Sequence, residues 1–159
     1  ENRNVVLNMA NFYLGNIDLS GAYLGNTVLV GADIAGADMR GAHLTGANLT
    51  GADLTRVNLK GANLAIANLT RANLTRVYLA EADMEGADLT RADLARANLA
   101  GANLTGADLT RVNLKGANLA IANLTSANLA GANLTGVNLE EVNLEGANLE
   151  GTILHRNNL

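Results

Sequence analysis

The feature that most constrains this chain is a period of five. An apolar residue falls at Met9, Leu14, Leu19, Leu24 and every fifth position to Leu159, with no insertion or deletion. All 31 of these centres are apolar, 27 of them Leu, the others being Met9, Met39, Met84 and Ile34. Two residues before the centre the chain is small, with 20 Ala and five Val. The residue just before the centre is Asn or Asp in 25 of the 31 repeats, and 15 of the 17 glycines lie two after a centre. Propensity alone points elsewhere, because Ala, Leu and Arg are strong helix formers. Five residues of helix advance roughly 500°, so the leucines would spiral round it and leave no buried stripe. A straight strand fails too, since five is odd and successive leucines would alternate faces.

A chain that turns a corner every five residues satisfies the pattern. The small residue and the central Leu then share an inward face, the Asn or Asp between them points outward, and the two residues after the centre make the corner. Four corners of about 90° close a coil of about 20 residues, and coils stacked about 4.8 Å apart give a rod on the order of 37 Å long. The expected core is a stack of leucines, with Leu54, Leu74, Leu94 and Leu114 in one column. Leu7, Phe12 and Ile17 replace Ala at the inward small position and are expected to fill a wider first coil and cap the core. Arg, Glu and Ile often stand where Gly would suit a positive φ. This predicts two corner types, with the Arg, Glu and Ile corners free of strongly positive φ. The whole chain, 1–159, reads as a single domain with an N-terminal end at 1–17 and a decaying coil at 150–159. There the motif fades through Gly151-Thr152-Ile153-Leu154 and His155 to Leu159.

The runs Ala47-Asn48-Leu49-Thr50-Gly51, Ala52-Asp53-Leu54-Thr55-Arg56 and Ala102-Asn103-Leu104-Thr105-Gly106 resemble the pentapeptide-repeat family, whose motif is A(D/N)LXX. The resemblance covers essentially the whole chain. It implies an all-β, right-handed quadrilateral parallel β-helix. A longer repeat overlies the short one: Gly46 to Thr70 recurs identically at Gly101 to Thr125, an offset of 55 residues. That is 11 pentapeptides, so the copies face different sides of a four-sided coil.

Residues 20 apart become stacked neighbours. Arg56, Arg76 and Arg96 form one column, and Arg71, Arg91 and Arg111 form a second on an adjacent face. Two readings are open. The columns are a basic ridge that docks an acidic partner, or they are solvated corners partly neutralised by Glu81, Asp83, Glu85, Asp88, Asp93 and Asp108. Residues 116–155 hold Glu140, Glu141, Glu145 and Glu150 and no Lys or Arg, which suits a soluble rod end. The outward departures from Asn or Asp are Tyr13, Tyr23, Val28, His43, Tyr78 and Ile153. Tyr23 stacks on His43, Val28 and Val30 project together, and the N-terminal third forms a second candidate interaction patch.

Chemistry is sparse. There is no Cys, so disulfides and thiolate metal sites are excluded. The two histidines, His43 and His155, lie too far apart to share a metal, and the glycines mark corners rather than a phosphate loop. No catalytic residue, cofactor or metal site is expected. A net charge of −4 argues neither for a nucleic-acid binder nor for an extreme acidic mimic, no direct nucleic-acid binding is expected, and no apolar run reaches membrane-spanning length. The chain is therefore read as a non-enzymatic rod that presents flat faces to a protein partner, with weak end-to-end self-association through an open coil. The resemblance supplies an alternative, a DNA-mimicking modulator of a type II topoisomerase. The Thr50, Thr70, Thr90 and Thr110 column raises a third, ice or mineral binding, which its mixed neighbouring columns disfavour. With no leader visible a cytoplasmic setting is favoured, and a periplasmic or thylakoid-lumen one if a leader was removed.

Overall fold

The computed structural model describes residues 6–153. Its regular feature is a ladder of single-residue parallel bridges joining each residue before a centre to the one 20 further on, from Asn8↔Val28 to Asn133↔Ile153. The 20-residue coil therefore holds without interruption. Between bridges the chain makes four turns per coil, so each coil has four sides. No helix among the described residues is long and apolar enough to cross a membrane.

One repeat explains why these residue types recur. The Asp53 N–H donates to the Ala32 carbonyl in the coil before (2.9 Å), and the Leu54 N–H to the Asn73 carbonyl in the coil after (2.7 Å). The Thr55 N–H is satisfied by its own repeat, donating to Asp53 Oδ1 at 2.9 Å. The Arg56 N–H donates to the Thr75 carbonyl (3.1 Å), and the Val57 N–H closes the turn on the Leu54 carbonyl (3.1 Å). All five backbone donors are thus paired, as buried or half-buried backbone requires. The outward Asn or Asp is consequently structural: its side chain accepts the N–H that no neighbouring coil reaches, an Asx-type turn.

The inward residues form one continuous core. Leu54, Leu74, Leu94 and Leu114 are 0–1% exposed, and the alanines beside them are as deeply buried. Small Ala lets adjacent sides approach, and each Leu packs between the leucines above and below. The ends differ. Phe12 is 53% exposed and Ile17 40%, with Leu7 similarly open. They do not belong to the buried core. Among the described residues they have a coil on one side only, and an inward side chain is sealed only by neighbours on both. Leu149 is likewise exposed at the other end. Leu154 and the motif's decay through His155 to Leu159 lie outside the described residues.

The expectation of two corner types is overturned. Every described corner residue two after a centre has φ between 53° and 71°, whether Gly, Asn, Arg, Glu, Ser or Ile. The turn, bonded from its first to its fourth residue with positive φ at the third, has the pattern of a type II turn. Its third residue must be left-handed for the chain to come round while its N–H stays aimed along the rod. Arg56 (φ 58°) and Ile66 (φ 53°) obey this although a left-handed L-residue costs about 1–2 kcal/mol, most clearly for a β-branched one.

Candidate interaction surface

The four sides carry different charge. Arg71, Arg91 and Arg111 occupy one corner column; Arg56, Arg76 and Arg96 occupy the next. The repeat Arg71-Ala72-Asn73-Leu74-Thr75-Arg76 runs from one column to the other, so both columns border a single side rather than adjacent ones. The bridged residues Asp53, Asn73, Asp93 and Asn113 run down its middle, and Lys115 adds a further cation. Seven of the nine lysines and arginines among the described residues lie on this arginine side. All six corner arginines are exposed.

No corner arginine forms an ion pair among the described residues, although Asp93 lies on the same side between the two columns. The ion pairs among the described residues are Arg40–Asp38 (2.6 Å) and Lys60–Glu81 (3.5 Å), and neither involves a corner arginine. Glu81, Asp83 and Glu85 sit on the opposite side of the coil, in the ladder of Tyr23, His43, Asn63, Asp83 and Asn103. Among the described residues that side and its corners hold five carboxylates, counting Glu141 and Glu145, and no Lys or Arg. Sequence reading treated these acids as screening charges. Grouping residues by position within a coil of 20 is the signal that separates the two sides.

Most of the outward departures of the N-terminal third lie elsewhere, Tyr13 alone among them heading the ladder of the arginine side. Tyr23 and His43 stack with ring centroids 4.5 Å apart and planes 4° from parallel, on the side opposite the arginines. Val28 and Val30 are half-buried on the neighbouring side, across the Asn26 corner. Tyr13 folds over its own corner: a Cβ on Gly15 would meet the Tyr13 hydroxyl at 3.0 Å, so a larger residue there would push the exposed ring slightly aside.

The ionisable groups behave as surface charges held by local hydrogen bonds. The Arg40 side chain donates to Asp38 and holds its carboxyl below the ordinary value, and the Ser20 hydroxyl and N–H do the same for Asp18. At Asp88 desolvation pushes the carboxyl up, but the hydroxyl and amide of Thr90 and the hydroxyl of Thr70 together hold it below the ordinary value. No cluster of potential metal ligands occurs among the described residues.

A four-sided solenoid of five-residue turns, with an Asx hydrogen bond in most repeats and a Leu core, defines a class of repeat protein rather than a catalytic fold. The chain belongs to the pentapeptide repeat family, whose model matches residues 13–51, 52–91, 87–120 and 117–156. No curated protein matches it. Among solved structures it is similar to a pentapeptide repeat protein of the Arabidopsis thaliana thylakoid lumen, at 31% identity and a TM-score of 0.62 over 64% of this chain and 71% of that one. It is also similar in fold to QnrB1, a plasmid-mediated fluoroquinolone resistance protein, at 17% identity and a TM-score of 0.53 over 96% and 92% of the two chains. A pentapeptide repeat protein, Rfr23, from the cyanobacterium Cyanothece 51142 matches at 33% identity over 93% and 91%, with a TM-score of 0.38.

Proposed function

We propose that the chain is a non-enzymatic interaction rod whose arginine side docks an acidic surface of a protein partner. The supporting observation is the siting of the six arginines. All occupy left-handed corners where Gly would be unstrained, on the two columns that border one side, and none has a carboxylate at ion-pair distance among the described residues. Stability does not account for this, since stacked like charges repel and the backbone is strained at each. Left-handed non-Gly corners occur on all four columns, but the arginines among them are confined to the two that border this side, and charge gathered at one surface without an ion-pair partner fits a role in binding. The guanidinium's planar fork suits bidentate pairing with carboxylates. The rod itself is taken as right-handed and square in section, as family membership implies, which keeps the side flat.

Binding of polyglutamate to the wild-type chain tests this. Affinity should fall about tenfold or more between low and physiological salt. It should fall comparably in a triple variant carrying Arg71→Gln, Arg91→Gln and Arg111→Gln. Equal binding by wild type and variant would contradict the reading. DNA mimicry is less well supported: the acidic side has two successive coils, at 101–106 and 121–126, without a carboxylate between Glu85 and Glu141.

A further inference from the structure

We infer that the partner the arginine side fits is the acidic side of a second copy of this chain, giving a lateral, side-on-side assembly. This rests on the arginine side being an interaction surface and goes further by naming its occupant. Three features of one molecule supply the complementarity. The two sides are opposite faces of the same four-sided coil, so they have the same width. They are crossed by the same 20-residue bridges, so their rows have the same rise of about 4.8 Å. And their net charges are opposite: seven cations outweigh Asp33, Asp53 and Asp93 on the arginine side, and carboxylates alone are charged on the other among the described residues.

The order of corners round the coil fixes which residues meet. The corner column containing Glu81 adjoins the column of Arg76 and Arg96 along one lateral side. If a second copy is laid on the first by translation, without rotation, its Glu81 column falls over that arginine column. Its Glu85, at the other end of the same row, falls over the column of Arg71 and Arg91. The levels agree as well. Counting residues along the coil, Glu81 comes between Arg76 and Arg96, and Glu85 between Arg71 and Arg91. Each carboxylate thus sits between two guanidiniums with almost no sliding of one rod along the other. In the free chain Glu81 has only a loose contact, 3.5 Å, with Lys60. Such a contact is head-to-tail and does not close on itself, so further copies can add and the assembly grows with concentration.

Sedimentation of the wild-type chain over a range of concentrations tests this, with two charge-reversed variants. One carries Glu81→Arg and Glu85→Arg; the other carries Arg76→Glu and Arg91→Glu. The wild type should associate at low salt and dissociate, by about tenfold or more in its constant, at physiological salt. Each variant alone should stay monomeric, and an equimolar mixture of the two should recover association in equal proportions, because each supplies the side the other has lost. All substituted positions are exposed, and circular dichroism with thermal melting confirms that both variants fold. A wild type that remains monomeric at low salt and high concentration overturns the inference. So does association that both variants retain, which would place the contact at a rod end, near Phe12. Polyglutamate binding separates the two levels: if it is retained by a wild type that does not self-associate, the arginine side is a docking surface for another acidic protein. If both are lost, the proposed function fails as well.

Discussion

The middle coils and the first coil are built from the same motif and differ in what surrounds them. Leu94 and Phe12 both point inward, yet one is sealed and the other half open. What separates them is a coil on both sides against a coil on one. Burial in this fold belongs to the neighbours as much as to the residue, as expected where each repeat contacts only those adjacent to it.

Substitutions can sharpen or break that contrast. Leu94→Ala removes a side chain packed from above and below and should cost about 2–5 kcal/mol. Phe12→Ala removes a larger side chain but should cost only about 1 kcal/mol, because half its surface is already wet. Chemical denaturation of both variants checks the pair, and equal losses would mean that the first coil is as well sealed as the middle. Ile66→Gly should raise stability, by about 0.5–1 kcal/mol, since it relieves a left-handed β-branched residue and the entropy of Gly in the unfolded chain returns only part of the gain. A lower melting temperature for this variant would show that Ile66 is not strained at its corner. Arg91→Ala, at the exposed corner just before the repeat of Leu94, should shift stability by less than about 0.5 kcal/mol.

The smallest expected effect is a pH dependence. The Asp88 carboxyl is held below its ordinary value in the folded chain. Its contribution is therefore present above the unfolded value and lost as pH falls through the lower, folded one. An Asp88→Asn variant should lose less stability than the wild type on acidification below about pH 4, seen as a smaller drop in melting temperature. Parallel drops in both would assign the acid sensitivity to other carboxylates, Asp18 and Asp38 first among them.

Much of the fold was legible because one number, five, fixes both the inward column and the coil. Leu54 to Leu114 follow from it directly. The purpose of Asp53 and its equivalents did not, since only the backbone shows that the Thr55 N–H lacks any other acceptor. The corners misled for a physical reason. Residue preference argues against a left-handed Arg, but four turns per coil leave no other geometry, so topology overrides preference at Arg56, Arg91 and Ile66 alike. Phe12 and Ile17 are as large as core residues, but size alone does not bury a side chain that has a coil on one side only among the described residues. The arginine columns were legible as columns. That they border one side depends on which corners flank a given row, and the turns supply that.

The hydrogen bonds between coils run along the rod. Force applied to the two ends of the chain therefore loads the coils in series, and they should peel away one at a time. Each release frees 20 residues, or about 65 Å of extended chain once the coil's own rise is subtracted. Stretched singly, the molecule should yield in a sawtooth of evenly spaced steps, the middle coils giving way at the highest force.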